Sequence, residues 1–165
     1  MSRLLYIRGM IRPYTGGDKE RLVDLLRLNI PAYFHRSEEP DFAMYLDNFA
    51  THYFVVEEMG SIIGAGGYNL MDDPSKARIS WDIIHPDYQG KGIGKTLTLF
   101  RIAELKHSHN VNLITVRTTQ LVYQFYEKLG FTLEKIEKDF WAAGFDLYQM
   151  NMTVSQTNNS GQPQK

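Results

Sequence analysis

Residues 84–96 read IHPDYQGKGIGKT, with glycines at positions 90, 92 and 94. Apolar residues alternate before this stretch, as in a strand, and follow a helical period after it, so the stretch joins a strand to a helix. Glycine permits positive φ and lets a ligand approach the backbone closely. The first amides of a helix lack intrahelical partners and attract anions. The stretch therefore predicts a phosphate-binding loop, which we call the glycine loop (residues 89–95), and Lys91 and Lys95 add positive charge to it.

Two better-known phosphate motifs do not fit the glycine loop. In the P-loop, four residues separate the first glycine from a Gly-Lys-Ser/Thr sequence. The dinucleotide fingerprint places its third glycine three residues after the second. Gly90, Gly92 and Gly94 satisfy neither spacing. The glycines alone leave one alternative open, which is an ordinary tight turn with a solvated basic rim.

The rest of the chain predicts alternating strands and helices around this loop. We expect strands at 4–14, 53–58, 61–69, 77–84, 111–116, 131–139 and 145–152, and helices at 18–30, 37–49, 94–107 and 120–129. Hairpins and helical crossovers in one chain predict a mixed sheet with helices covering it. The fold class is therefore α/β, with a single mixed, twisted sheet of six or seven strands in the order β-α-α-β-β-β-α-β-α-β-β. A V-shaped opening is expected between strands 77–84 and 111–116.

Composition narrows the class of protein. The 165 residues are 43% hydrophobic, enough for one domain with its own core. The absence of cysteine excludes disulfides and a cysteine nucleophile. A net charge of −1 gives no basic excess for nucleic acid. We find no apolar run that could span a membrane and no signal peptide, so we expect a cytoplasmic protein.

The domain is expected to cover residues 1–152. Met10 is an alternative start, which would make residues 1–9 an extension. Residues 153–165 read TVSQTNNSGQPQK and are too polar to bury surface, so they predict a disordered tail. The five histidines do not form a metal set, and no metal is expected. The sequence does not decide between a monomer and a homodimer.

Two motifs together resemble one family. Gln89-Gly90-Lys91-Gly92-Ile93-Gly94 is similar to the Gln/Arg-x-x-Gly-x-Gly/Ala signature of the GCN5-related N-acetyltransferase superfamily, and residues 125–131, FYEKLGF, are similar to its second signature. The resemblance covers roughly residues 10–152. It implies the acyl-CoA N-acyltransferase fold and the transfer of an acetyl group from acetyl-CoA to a primary amine, by direct attack through a tetrahedral intermediate in a ternary complex. The alternative is a non-catalytic sensor or interaction module that binds an acyl-CoA.

The resemblance also implies roles for particular residues. The backbone of Ile83 and Ile84 would pair with the pantetheine arm, and Thr119 stands where the family often has asparagine. Tyr126 would be the general acid, and its phenol, with an ordinary pKa near ~10, is protonated at neutral pH. Its alternative role is core packing. The pyrophosphate would bind the backbone amides of Gln89, Gly90, Lys91, Gly92, Ile93, Gly94 and Lys95.

The general base is a separate question. By strict alternation, Asp82 lies on the same strand face as Arg78 and Ser80, unless a bulge breaks the pattern, and it is the candidate base. Its alternative role is a surface carboxylate paired with Arg78 or a lysine. The family often has glutamate nearer the start of this strand, which Arg78 does not supply. Glu57 is a weaker candidate, and a solvent relay without a dedicated base also stays open.

We expect the loop at residues 31–39, PAYFHRSEE, to bind the amine that accepts the acetyl group. Tyr33, Phe34, Glu38 and Glu39 could receive an amine through aromatic and carboxylate contacts. The alternative is an ordinary helix connection whose carboxylates favour the dipole of the next helix. Acceptors left open by the sequence are a polyamine or amino sugar, a free amino acid, and a peptide N-terminus. This loop and the turn at residues 141–144 are expected to decide among them.

Overall fold

The computed structural model describes residues 2–155, which form seven strands and five α-helices. In chain order the elements are α1 (Arg3–Arg8), β1 (Ile11–Pro13), α2 (Lys19–Leu28), α3 (Glu38–Asn48), β2 (Tyr53–Glu58), β3 (Ser61–Leu70), β4 (Lys76–Ile84), α4 (Ile93–Ser108), β5 (Leu113–Thr118), α5 (Tyr123–Lys128), β6 (Thr132–Ala142) and β7 (Phe145–Thr153). A short 3₁₀ turn, Pro86–Tyr88, leads from β4 into the glycine loop.

The strands form one mixed sheet in the order β1-β2-β3-β4-β5-β7-β6. Neighbouring strands are antiparallel except for β4 and β5, which are parallel. Residues Lys76–Ile79 of β4 pair with Leu113–Val116 of β5, and beyond Ile79 the two strands separate. The predicted fold class and the opening between these two strands are confirmed.

Helices cover both faces of the sheet. α2 and α3 pack on one face, over a buried cluster that includes Phe42 and Ile83. α1, α4 and α5 pack on the other face, over a cluster that includes Ile7, Leu97 and Tyr126. The glycine loop lies at the start of α4, so the fold places that loop beside the gap between β4 and β5.

The strand predicted at 4–14 is wrong in its first half. Residues Arg3–Arg8 form α1, whose first turn is capped by the Ser2 hydroxyl accepting the Leu5 N–H at 3.3 Å. The side chain of Ile7 is buried in the core beside α4. Local capping and this tertiary contact favour a helix there, and the strand is reduced to Ile11–Pro13.

The last strand continues beyond residue 152. Thr153 pairs with Leu113, and the N–H of Val154 donates to the Asn112 carbonyl at 2.8 Å. The side chain of Val154 is buried in the core. The expected disordered tail otherwise falls mostly on residues 156–165, which lie outside the described residues.

A β-bulge interrupts β4 next to the gap. Trp81 and Asp82 together stand opposite the single residue Gly66 of β3. Trp81 has a φ of +50° and packs toward α3, whereas Asp82 turns toward α4. The expectation that Asp82 shares a face with Arg78 and Ser80 is therefore wrong, because the extra residue reverses the alternation of side chains.

A charge network centred on Asp18 ties α2 to the edge of the sheet. Arg12 on β1 donates two hydrogen bonds to its buried carboxylate, at 2.8 and 2.9 Å, and Arg21 on α2 donates a third at 2.9 Å. Arg12 also pairs with Glu57 on β2 at 2.5 Å. The Arg12 guanidinium holds the pKa of Asp18 well below its ordinary value.

Replacing Asp18 with asparagine should lower the free energy of unfolding by about 2–3 kcal/mol, because charge-assisted hydrogen bonds are lost. The folded state favours the carboxylate, so its contribution is complete above the unfolded pKa of ~4 and declines as the pH falls. Urea titrations should therefore show a smaller difference between the two proteins at about pH 3 than at about pH 7.

Asp47→Asn is the matched control for this substitution. The Asp47 carboxylate pairs with Lys19 at the surface, 2.8 Å away, and its loss should cost less than about 1 kcal/mol. Equal losses in the two variants would contradict the role given to Asp18.

Candidate active site

A cavity of about 1100 Å³ opens where β4 and β5 separate. Most of the residues that the sequence assigns to the site line this cavity: Tyr33, Phe34, Glu38, Asp82, Ile84, Gln89, Gly90, Gly92, Ile93, Gly94, Lys95, Thr119 and Tyr126. The fold thus brings the glycine loop, the expected general acid Tyr126 and the loop at residues 31–39 to one place.

Three of the assigned residues do not line the cavity. The side chain of Ile83 is buried on the α2–α3 face of the sheet. The ammonium of Lys91 lies 5.1 Å from the centroid of the Tyr88 ring. The carboxylate of Glu39 pairs with Arg27 at 2.5 Å.

The backbone of Ile84 faces the gap between the strands. The N–H of His85 donates to the Ile63 carbonyl of β3 at 2.9 Å, so the backbone of His85 is directed toward β3. Backbone groups of successive strand residues point to opposite sides. The N–H and C=O of Ile84 therefore point toward β5, at a level where β5 no longer pairs with β4.

The glycine loop has the backbone that its sequence predicts. Gly90 and Gly92 have φ values of +72° and +87°, in the left-handed region that favours glycine. Gly92 is the N-cap of α4, whose first turn lines the cavity through Ile93, Gly94 and Lys95. The first amides of this 16-residue helix and its positive dipole end therefore lie at the cavity wall, which favours an anion there.

Tyr126, Asp82 and Arg101 form a chain of contacts on the α4 side of the cavity. The Tyr126 hydroxyl donates to Oδ2 of Asp82, and Nη1 of Arg101 lies 2.5 Å from Oδ1. Arg101 is 0% exposed, and its guanidinium also donates to the carbonyl oxygens of Leu97 and Gly67 at 3.1 and 2.9 Å. Because an unpaired buried charge is costly, Asp82 is the partner that permits Arg101 to lie there.

Burial and charge set the protonation of this chain. Burial, with a further contribution from the Asp82 carboxylate, raises the pKa of Tyr126 well above 10. Burial lowers the pKa of Arg101, but the Asp82 carboxylate outweighs that effect and the pKa ends above its ordinary value. Tyr126 therefore holds its proton and Arg101 its charge at neutral pH.

Two adjacent glycines of β3 lie in closely packed places, and the first makes room for the Asp82–Arg101 pair. A Cβ on Gly66 would collide with the Asp82 carboxylate and lie 2.8 Å from Nη1 of Arg101. A Cβ on Gly67 would collide with the carbonyl of His52. The sequence Gly66-Gly67 is thus explained by close packing on both faces of the strand.

The loop at residues 31–39 contributes an aromatic wall and a carboxylate. The ring of Phe34 stacks on Trp81 with centroids 6.2 Å apart. Glu38 accepts the N–H of His35 at 2.8 Å, and burial raises the pKa of Glu38. Glu38 thus supports the turn into α3 and lines the cavity at the same time.

Of the two carboxylates considered as a base, only Asp82 lines the cavity. Glu57 lies at the other end of the sheet order, paired with Arg12. The alternative role of Asp82 was a surface carboxylate paired with Arg78 or a lysine, whereas the observed partner is Arg101 on α4.

The sequence patterns did not indicate a site role for Arg101, which is fully buried behind Asp82, or for Arg117, which lines the cavity. Arg101 carried a signal, since it lies four residues from both Leu97 and Leu105 and thus on the apolar stripe of α4. A charge in that position needs a buried partner. Arg117 gave no such signal, because a polar residue on a half-open sheet face is ordinary.

One family of proteins matches the part of the chain that contains the glycine loop and Tyr126. The family model described as Acetyltransferase (GNAT) family matches residues 20–131, which is more than half of the chain and includes the glycine loop and Tyr126. The chain therefore belongs to that family. In the part of the chain that the structure describes, no helix combines the length and apolarity of a membrane span.

Individual curated proteins resemble this chain at moderate sequence identity. An uncharacterized N-acetyltransferase, ycf52, of Gracilaria tenuistipitata var. liui is 33% identical over 100 residues, covering 58% of this chain and 54% of the relative. The chain thus spans about half the length of this relative, and 36% of two further ycf52 proteins. An N-alpha-acetyltransferase of Saccharolobus solfataricus is 27% identical over 150 residues, covering 81% of this chain and 86% of the relative.

A solved structure shows the same fold. The aminoglycoside 6′-N-acetyltransferase complexed with coenzyme A superposes with a TM-score of 0.72 over 90% of this chain and 99% of that chain. The two sequences are 16% identical, so the likeness is one of fold.

Replacing Gly92 with valine should weaken coenzyme A binding by at least ~10-fold, which corresponds to about 1.4 kcal/mol. A β-branched residue resists positive φ and would displace the first amides of α4. Calorimetric titration with coenzyme A measures the effect.

Gly60→Val is the matched control. Gly60 has a φ of +81° in the β2–β3 turn, outside the cavity lining, and an added Cβ there meets nothing within 4 Å. It should lose similar stability but keep full affinity for coenzyme A. Equal affinities in the two variants would contradict the assignment of the loop.

Proposed function

We propose that the protein transfers the acetyl group of acetyl-CoA to a primary amine, by direct attack of the amine in a ternary complex. The observation that carries this proposal is the hydrogen bond from the Tyr126 hydroxyl to Asp82 within the cavity. It joins a proton donor and a carboxylate acceptor beside the gap between β4 and β5.

The residues of the cavity fit acetyl-CoA. The left-handed backbone of Gly90 and Gly92 and the first amides of α4 suit the pyrophosphate. The free backbone groups of Ile84 suit the amides of the pantetheine arm in the gap. Bound there, acetyl-CoA supplies the acetyl thioester that the amine attacks.

Asp82 and Tyr126 fill the two proton roles of this transfer. As the amide forms, the amine nitrogen loses a proton and the departing sulfur needs one. The Asp82 carboxylate accepts the first proton, and Tyr126 gives the second from its hydroxyl. Because the two groups are hydrogen-bonded, the proton on Asp82 can pass to the phenol oxygen as the phenol releases its own. A free tyrosinate, which the raised pKa of Tyr126 disfavours, is then never formed.

Direct attack also predicts the form of the kinetics. The chain has no cysteine that could carry the acetyl group between two half-reactions. Initial rates with both substrates varied should therefore give intersecting double-reciprocal lines. Parallel lines would contradict the ternary complex.

Replacing Tyr126 with phenylalanine should reduce kcat by ~10²–10⁴-fold, the range for a lost general acid. The ring still packs, so the free energy of unfolding should fall by about 1 kcal/mol, the value of one hydrogen bond. Affinity for coenzyme A should be unchanged. Release of free thiol with an acceptor amine measures kcat, and calorimetry measures binding.

Tyr68→Phe is the matched control, since Tyr68 is equally buried and its hydroxyl bonds to Nε2 of His109 at 3.0 Å, outside the cavity lining. It should keep full activity. A normal kcat in Tyr126→Phe would make water the proton donor. Coenzyme binding by the unaltered protein, without thiol release for any amine, would favour the sensor alternative. Asp82→Asn is a weaker test because it leaves the buried charge of Arg101 unpaired.

A further inference from the structure

Two arginines lie on the same face of the sheet at the cavity wall. Arg78 on β4 stands opposite Thr115 of β5, and Arg117 follows Thr115 by two residues. Residues opposite each other share a face, as do residues two apart in a strand. Both arginines line the cavity, on the sheet face that α3 covers only in part.

Within the described part of the chain, neither guanidinium group forms an ion pair. Their Nε–H groups are buried and donate no hydrogen bond to the described residues. None of the ion pairs formed within residues 2–155 includes Arg78 or Arg117. Burial and the nearby charge of Arg78 lower the pKa of Arg117, and the Glu137 carboxylate opposes this shift without reversing it. Two like charges held together in this way favour an anion between them.

The β6–β7 hairpin holds Arg117 in place. Its guanidinium lies 4.8 Å from the ring centroid of Phe140 and 5.4 Å from that of Trp141. The Trp141 indole N–H donates to the Thr118 carbonyl at 3.2 Å, which fixes the ring on β5. A guanidinium stacked on ring faces keeps the donors at its edge available for a planar acceptor.

The other charged groups of the wall form no ion pair with Arg78 or Arg117 within the described residues. The Asp82 carboxylate is engaged by Arg101, and Glu38 accepts the N–H of His35. Lys95 and Lys128 add positive charge, and Asp72 is a further carboxylate, which forms none of the ion pairs within the described residues. Among the residues given for the cavity, five carry a positive charge and three a carboxylate.

We infer that Arg78 and Arg117 bind an anionic group, a carboxylate or a phosphate, on the amine that the protein acetylates. The inference rests on the proposed acetyl transfer and narrows its acceptors to amines that carry a negative charge, such as amino acids. It disfavours polyamines and amino sugars, whose additional ammonium groups would face two guanidinium groups.

The test compares acetylated products that carry an anionic group with neutral counterparts. N-acetylglycine is paired with N-acetylglycinamide, and N-acetyl-phosphoethanolamine with N-acetylethanolamine. Each compound is titrated calorimetrically into the full chain saturated with coenzyme A. We expect the charged member of at least one pair to bind at least ~10-fold more tightly than its neutral partner, as charge-assisted hydrogen bonds require. The two pairs tell a carboxylate from a phosphate.

Variants then locate the effect. Arg78→Gln and Arg117→Gln should each weaken binding of the charged product by ~10–100-fold and leave the affinity for coenzyme A unchanged. Arg117→Lys should recover part of the loss because it keeps the charge. Arg36→Gln, in the exposed part of the 31–39 loop and outside the cavity lining, should have no effect. Since Arg78 forms no ion pair within the described residues, Arg78→Gln should keep or raise the melting temperature, whereas Arg117→Gln also loses the stacking on Phe140 and Trp141.

Binding is measured without turnover, so the two proposals can fail separately. Equal affinity within both pairs, no binding by either anionic product, or unchanged affinity in both Gln variants would overturn the inference. Selective binding of an anionic product without thiol release from acetyl-CoA, when glycine and phosphoethanolamine are offered, would overturn the proposed transfer instead.

Discussion

The buried charge of Arg101 constrains the structure around it. A guanidinium with no exposed surface must have every donor and its charge satisfied within the protein. Asp82 supplies the charge, which requires the bulge that turns this residue toward α4. Gly66 supplies the space, since a Cβ there would collide with the Asp82 carboxylate and lie 2.8 Å from Nη1 of Arg101. One ion pair thus accounts for the bulge in β4 and for the glycine opposite it in β3.

The same ion pair joins the core of the protein to its chemistry. Asp82 contacts Arg101 through one carboxylate oxygen and the Tyr126 hydroxyl through the other. A substitution at Asp82 therefore affects folding and proton transfer together, whereas one at Tyr126 leaves the ion pair intact. The cavity also divides into two regions of different character. The glycine loop presents backbone amides, whereas the wall near Arg78 and Arg117 presents side-chain cations.

Local signals in the sequence predicted the parts of the site that depend on backbone conformation. Alternating glycines predicted the loop before α4, because positive φ at Gly90 and Gly92 is a property of the residues themselves. The hairpin at 53–69 and the helix at 94–107 followed from turn residues and apolar period. These features need no knowledge of distant contacts.

Features that depend on distant contacts were not predicted. Strict alternation placed Asp82 on the wrong face, since the bulge is set by packing against β3 and α4 rather than by the residues of β4 alone. The helix at Arg3–Arg8 was read as a strand because its apolar residues fit either period over so short a run. The position of Arg101 on an apolar stripe indicates that a group of opposite charge is buried beside it. That this group is Asp82 could be learned only from the fold.

The positions of the aromatic side chains have a spectroscopic consequence. The chain has two tryptophans, and both line the cavity. Trp81 lies on the β4 bulge beside Phe34, and Trp141 lies over Arg117 on the opposite hairpin. Indole emission from this protein therefore arises entirely from the two walls of its cavity. The polarity of the cavity can be followed by intrinsic fluorescence, without an added label, and removing either indole leaves a probe of the other wall alone.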